Sequence, residues 1–197
     1  MRVFIAVAVP PEVDEALDGL EREVRVWARA EHVRLRWVPS GARHVTLRFV
    51  GECDDPEPVI EAVERAVAPA SADPASRPAS ATRPAPASGP VPAGRAAPAP
   101  QLALGSQVEL LGHSAVVVPV SGAEPLARAV ARELRVAAPR FMGHVTVGRV
   151  RPRPVAPPPV SVAEAAWIPG SVEVIESRPG GTPRYVTLAS LPVQRVA

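Results

Sequence analysis

The chain has 197 residues, enough for one domain, or for two closely packed lobes, with a hydrophobic core. Its formal net charge is only +2, but all 22 basic side chains other than histidine are arginine, so the chain has neither a P-loop lysine nor a lysine–nucleotidyl intermediate. An ATP-dependent ligase that works through a lysine adduct is therefore excluded, and the single cysteine, Cys53, excludes a disulfide framework and a cysteine zinc site within one chain.

The first part of the chain predicts strands and helices in alternation. Residues 2–9 carry valine or isoleucine at every second position, which is the period of a strand. This apolar stretch is too short for a signal peptide or a membrane span, so we expect a cytoplasmic protein. The predicted elements are a strand over 2–9, a helix from Pro10-Pro11-Glu12 through Trp27, strands over 33–38 and 44–50, and a helix from Asp54-Asp55-Pro56 through Val67.

Residues 68–101 differ from the rest of the chain because they consist mainly of proline and alanine. Such a segment buries too little apolar surface to offset its chain entropy, so it is predicted to be a flexible insert. The elements predicted after it are strands at about 107–111 and 115–120, a helix over 124–135, and strands over 141–150, 161–167, 171–177 and 184–191. The pattern predicts one α+β domain over 1–197, with two pseudo-symmetric lobes around a central cleft.

An internal repeat is the central feature of the sequence. His44-Val45-Thr46-Leu47-Arg48-Phe49-Val50 is echoed by His144-Val145-Thr146-Val147-Gly148-Arg149-Val150. Residues i and i+2 of a strand face the same side, so each histidine shares a face with its threonine while the aliphatic residues point to the core. A cleft between the two lobes would then hold two imidazoles and two hydroxyls.

This set of side chains suits phosphoryl transfer. A pentavalent phosphorane needs a base for the attacking oxygen and an acid for the leaving oxygen, and histidine titrates in the range that serves both. Threonine hydroxyls can donate to the non-bridging oxygens, where negative charge develops. His44 and His144 are therefore the predicted acid–base pair, while the other two histidines, His32 and His113, are expected at the surface.

Two other chemistries find little support. Neither motif has the His-x-x-x-His spacing or an in-strand carboxylate that a metal site would use. The Gly-x-Ser-x-Gly element of serine hydrolases is also absent from the sequence. We therefore expect no metal and no other cofactor.

The two motifs resemble those of the 2H phosphoesterase superfamily, and within it the RNA 2′,3′-cyclic phosphodiesterases, also called 2′-5′ RNA ligases. The similar segments are Arg2-Val3-Phe4-Ile5-Ala6-Val7 with the following Pro-Glu helix, Arg36-Trp37-Val38-Pro39, His44 through Glu52, Phe141 before His144-Val145-Thr146, and Gly181-Thr182-Pro183-Arg184-Tyr185. The resemblance implies lobes that each consist of an antiparallel sheet with flanking helices.

The resemblance also implies an activity and a site. His44 and His144 would be catalytic, and Thr46 and Thr146 would bind the phosphate. The substrate would be RNA with a 2′,3′-cyclic phosphate end, tRNA fragments among them, opened to a 2′-phosphomonoester, and the reverse reaction would join RNA ends without ATP. We expect a monomer that acts away from membranes.

Three further residues are predicted substrate contacts. Arg149 matches the arginine that commonly ends the second motif, but strict strand alternation gives it the parity of the core-facing Val145 and Val147. It needs a β-bulge, or a place at the strand end, to reach the cleft. Phe49 and Phe141 are predicted to stack on a base.

The chain departs from the family pattern at the 68–101 insert and at the shortened Ala137-Ala138-Pro139-Arg140. Three alternatives remain open at this point: the substrate is a small cyclic nucleotide, it is an ADP-ribose cyclic phosphate, or the protein binds RNA ends without turnover. The sequence also leaves open which histidine is the base.

Overall fold

The structure, a computed structural model, describes residues 1–68, 100–137, 140–152 and 156–193. The predicted insert therefore lies almost wholly outside the described residues. Within them are four helices and ten strands, which confirm the predicted α+β class. The helices are α1 (Pro11–Asp18), α2 (Glu21–Ala30), α3 (Glu57–Val67) and α4 (Glu124–Glu133). The strands are β1 (Arg2–Ala8), β2 (Arg34–Trp37), β3 (His44–Glu52), β4 (Leu102–Leu104), β5 (Glu109–Leu111), β6 (Ala115–Ser121), β7 (His144–Arg151), β8 (Ala166–Trp167), β9 (Ser171–Ser177) and β10 (Tyr185–Pro192).

The strands form one antiparallel sheet that runs through both lobes. Its order is β10-β9-β1-β3-β7-β6-β4-β8, with β2 paired to β7 and β5 paired to β6. We call β10-β9-β1-β3 the first lobe and the remaining strands the second lobe. The lobes are not the two halves of the sequence, because β2 from the first half pairs in the second lobe while β9 and β10 from the second half join the sheet beside β1.

Three predicted elements differ from the structure. The helix expected through Trp27 is divided at Gly19 and Leu20, although both residues keep right-handed helical dihedral angles, so the spacing of apolar side chains continues across the break. The strand expected over 161–167 is reduced to β8 with one isolated bridge from Ser161 to Gln107. The strand expected from residue 141 begins only at His144.

The main core lies behind the sheet and consists of aliphatic residues with two tryptophans. The alternate residues Val3, Ile5 and Val7 of β1 point into it, as the period-two pattern predicts. Helices α1 and α2 cover it with apolar side chains spaced three or four apart, namely Val13, Leu17, Leu20, Val24 and Trp27. The opposite face of β1 is buried too, in a smaller cluster of Phe4, Ala6 and Ile175. That smaller cluster forms the floor beneath the motif residues.

Candidate active site

The two motif strands meet at the centre of the sheet. Strands β3 and β7 are antiparallel and pair through Val45 and Val145, whose side chains are fully buried. Antiparallel pairing at this point sets His44 beside Thr146 and Thr46 beside His144, all four on the face opposite the valines. The two histidines are diagonal neighbours, whose α-carbons lie about 7–8 Å apart in such a pair. The pseudo-symmetric pair expected from the repeat is therefore assembled.

A β-bulge in each motif strand decides where the fifth residue after the histidine points. On β3, Thr46 faces Ala6 and Arg48 faces Ile5, so that Leu47 is the extra residue. On β7, Thr146 faces Val117 and Gly148 faces Val116, so that Val147 is the extra residue. Each bulge reverses the alternation beyond it.

The two bulges change the direction in which two predicted substrate contacts point. Phe49 and Arg149 are both exposed and both line the cleft beside the histidines, instead of pointing to the core. The bulge that Arg149 needed is therefore present, and Phe49 occupies the equivalent position of the first motif. The pseudo-symmetry of the cleft ends at this position, because the first motif has an aromatic ring where the second has a cation.

Both imidazole rings are oriented in the same way. The Nδ1 atom of His44 lies 3.2 Å from the Ala42 carbonyl oxygen, and the Nδ1 atom of His144 lies 2.8 Å from the Met142 carbonyl oxygen. A backbone carbonyl only accepts, so each Nδ1 carries the hydrogen and donates it. In the neutral ring this leaves the Nε2 lone pair free to accept a proton.

The surroundings of the two histidines are unequal. Phe4 lies under the His44 ring with a centroid distance of 4.9 Å, and Tyr185 meets the same ring edge-on at 5.3 Å and 90°. Burial lowers the pKa of His44 because it disfavours the charged imidazolium, and the nearby His144 lowers it further, against the opposing effect of the hydrogen bond to Ala42. His144 makes no such ring contact within the described part of the chain. The neutral form is thus favoured at His44.

A buried ion pair fixes the loop that leads to His44. Arg43 is 4% exposed, and its Nη1 donates to the Asp14 side chain at 2.6 Å and to the Asp14 carbonyl oxygen at 2.9 Å. Its Nη2 also pairs with Asp18, and the hydrogen bond from Arg43 lowers the pKa of that carboxyl. The second carboxylate oxygen of Asp14 accepts from the Ser40 hydroxyl and the Gly41 amide. Helix α1 and the loop before β3 are therefore held as one unit.

The cleft around these residues has a volume of about 1130 Å³. Besides the buried Arg43, its lining contains four exposed arginines from four different strands or loops: Arg2, Arg36, Arg149 and Arg184. Of the seven predicted site residues, six are brought together here: His44, Thr46, Phe49, His144, Thr146 and Arg149.

The prediction for Phe141 as a substrate contact is not supported by its position. Phe141 precedes β7, lies outside the cleft, and is half-buried against the main core. Its ring lies beside Gly143, where an added Cβ would come within 3.2 Å of it. The strand expected from residue 141 begins only at His144, so Phe141 does not lie on the strand that carries the second motif.

Two residues at the site carry roles that the motif pattern did not reveal. Tyr185 belonged to the resembling C-terminal segment, but no spacing rule connects it to His44, far earlier in the chain. Arg43 adjoins the motif, yet nothing in its neighbours predicts burial, since its carboxylate partners lie on another element. The expected surface positions of His32 and His113 are confirmed.

Two further properties of the described residues concern metal binding and membrane insertion. They contain no group of three or more histidine, cysteine, aspartate or glutamate side chains placed to hold a metal ion. Their helices include none with both the length and the apolar character needed to span a bilayer.

Comparison with known proteins relates this arrangement to a fold. No protein-family model and no curated protein matches the sequence. Among solved structures, TT0787 of Thermus thermophilus is 22% identical at a TM-score of 0.62, with 98% of each chain covered. LigT of E. coli, complexed with 3′-AMP, is 16% identical at a TM-score of 0.58, again with 98% of each chain covered. The MHV ns2 PDE domain is 14% identical at a TM-score of 0.50, covering 88% of this chain and 96% of that one. The chain therefore has the fold of the 2H phosphoesterases, as the paired motifs implied.

Proposed function

We propose that this protein is a phosphodiesterase that hydrolyses the 2′,3′-cyclic phosphate at an RNA end to a 2′-phosphomonoester, using His44 and His144 without a metal ion. The observation that carries the proposal is the pair of imidazoles on one face of adjacent strands, each with its Nε2 free. Two groups flanking one phosphorus atom are what an in-line displacement requires.

In the proposed reaction His44 is the base. Its Nε2 removes a proton from water, and the resulting oxygen attacks phosphorus. The bond from phosphorus to the ribose 3′ oxygen breaks, and His144, entering as the imidazolium, gives its Nε2 proton to that oxygen. The burial of His44 against Phe4 and Tyr185 supports its assignment as the base, because a base must be neutral at the start of the cycle. Ligation would be the reverse, with a ribose hydroxyl in place of water.

The remaining cleft residues stabilise the negative charge on the phosphate oxygens and orient the substrate. The hydroxyl of each motif threonine, Thr46 and Thr146, donates to a non-bridging oxygen, where charge accumulates in the transition state. Arg149 supplies the positive charge for the same oxygens, in the planar geometry that suits a phosphate. The ring of Phe49, which is 71% exposed at the cleft, is assigned to a base of the substrate.

The test uses an oligonucleotide that ends in a 2′,3′-cyclic phosphate, incubated with enzyme and excess EDTA. We expect conversion to the 2′-phosphate with EDTA present, and a loss of at least about a hundredfold in kcat for His44→Ala and for His144→Ala, in line with the usual size of general acid–base catalysis. Product is followed by chromatography against synthetic 2′- and 3′-phosphate standards.

His113→Ala is the matched control, because that histidine is exposed and outside the cleft. Activity lost with EDTA, or retained in both motif variants, would contradict the mechanism. Tight binding with no product over hours would favour the non-catalytic alternative, and turnover confined to a cyclic mononucleotide or to ADP-ribose cyclic phosphate would favour the small-substrate alternatives.

A further inference from the structure

Four arginines form a ladder that leads out of the cleft along two paired strands. In the register of β2 and β7, Arg36 lies opposite Arg149 and Arg34 lies opposite Arg151. All four are exposed, and the residues between the two pairs, Leu35 and Val150, turn toward the core. The guanidinium groups therefore share one face. We call Arg34, Arg36, Arg149 and Arg151 the arginine ladder.

The ladder has no internal charge compensation. Like charges directly opposite each other destabilise a strand pair. None of the four arginines joins an ion pair with a described residue, whereas other exposed arginines of the same chain, such as Arg2 and Arg178, do. Two cross-strand rungs of cations thus lie side by side without an ion-pair partner among the described residues.

The position of the ladder relative to the cleft indicates its partner. The inner rung, Arg36 and Arg149, lines the cleft beside His144 and Thr146, while the outer rung, Arg34 and Arg151, lies one step farther from it, outside the cleft. Successive residues on one face of a strand are about 6.6 Å apart, so the two rungs can reach successive groups of one extended anionic chain. Guanidinium groups match phosphate oxygens in a planar, two-pronged geometry.

We propose that the arginine ladder is an extended phosphate-binding surface for the RNA strand on the 5′ side of the terminal nucleotide, so that the substrate is an oligonucleotide rather than a free nucleotide. This inference rests on the proposed function, because the cyclic phosphate at the catalytic pair is the 3′ end of the chain. The inner rung holds the terminal phosphates, and the outer rung holds the next phosphate upstream.

The test alters only the outer rung. The outer rung neutralises one phosphate, so its removal reduces the dependence of log K on log salt by about 0.7 for a single strand, which amounts to about fivefold weaker binding at 0.1 M salt. We expect this change for the double variant Arg34→Gln/Arg151→Gln with a fluorescent octanucleotide that carries a 2′-phosphate end, measured by anisotropy across a salt series. The same variant should raise KM for the cyclic-phosphate octanucleotide and leave turnover of a cyclic mononucleotide within about twofold of the wild type.

The control is Arg22→Gln/Arg128→Gln, which removes the same charge from exposed arginines on α2 and α4, two helices whose apolar side chains pack into the main core. An unchanged salt slope in the ladder variant, or an equal change in the control, would overturn the proposal. In the wild type, kcat/KM should rise from dinucleotide to trinucleotide, the step that adds the phosphate held by the outer rung, and in the ladder variant it should not. Because the binding series needs no turnover, a failure of the catalytic proposal and a failure of the ladder give different results.

Discussion

At the scale of single residues, the two motif histidines have the same sequence context and different surroundings. Each donates its Nδ1 hydrogen to the carbonyl two residues earlier, so their tautomers match. Only His44 packs against both Phe4 and Tyr185, and burial there lowers its pKa. The difference comes from β1 and β10, which pack around one motif and not around the other.

This asymmetry predicts the pH dependence of the reaction. The base must be neutral in the free enzyme, and a lowered pKa keeps it neutral to a lower pH. The acid limb of the kcat/KM profile should therefore fall below the ordinary histidine value of about 6.5. Tyr185→Ser admits water to the His44 ring, weakens the desolvation that lowers the pKa, and should move that limb upward toward about 6.5.

The control for this profile is Tyr185→Phe, which keeps the edge-on ring and should leave the limb in place. A limb at or above about 6.5 in the wild type, or one unmoved by the serine, would show that burial does not set the protonation of the base.

At the scale of the elements, each motif strand takes its register from a neighbour, β3 from β1 and β7 from β6. The site forms only in that register. Strand β7 approaches β6 closely before His144, where the Val120 amide donates to the Gly143 carbonyl at 2.8 Å. A Cβ at Gly143 would lie 2.3 Å from the Val120 carbonyl oxygen, which is backbone and cannot rotate away. Glycine at this position therefore sets how His144 enters the cleft.

We expect Gly143→Ala to cost about 1–3 kcal/mol of unfolding free energy, as overpacking commonly does, and to reduce kcat by more than the stability loss explains, because His144 is the next residue. Chemical denaturation and steady-state kinetics measure the two effects. Gly170→Ala is matched to it, since a Cβ there meets no atom within 4 Å. Equal behaviour of the two variants would refute the close approach of β7 to β6.

The second prediction at this scale concerns the buried ion pair of Arg43 with Asp14, which joins the loop before β3 to α1. Arg43→Met removes the cation and leaves the Asp14 carboxylate, 4% exposed, with only the neutral donors Ser40 and Gly41 in the protein interior. Breaking a buried ion pair from one side typically costs about 3–5 kcal/mol, and denaturant unfolding should reveal a loss of that order. The exposed pair of Arg25 with Glu21 is the comparison, because Arg25→Met should cost less than about 1 kcal/mol. Equal losses would mean that the Arg43 pair is no more than a surface contact.

At the scale of the whole molecule, each half of the sequence contributes strands to both lobes. Strand β2 leaves the first half of the sequence to pair with β7, and β9 and β10 return from the second half to extend the sheet beyond β1. This exchange forms the arginine ladder, because Arg36 and Arg149 come from different halves. It also brings Tyr185 to His44. Both features depend on contacts between residues far apart in the chain, so no local pattern could predict them.

The sequence by itself determined the element types and the identity of the four central side chains. Period-two alternation puts His44 with Thr46 and His144 with Thr146, because side chains alternate along a strand whatever it pairs with. The tertiary structure decided the rest. The bulges at Leu47 and Val147 turn Phe49 and Arg149 into the cleft, since a bulge arises from the register with a neighbouring strand. Burial then made His44 and His144 unlike, because desolvation depends on what packs around a ring and not on the residues beside it in the chain.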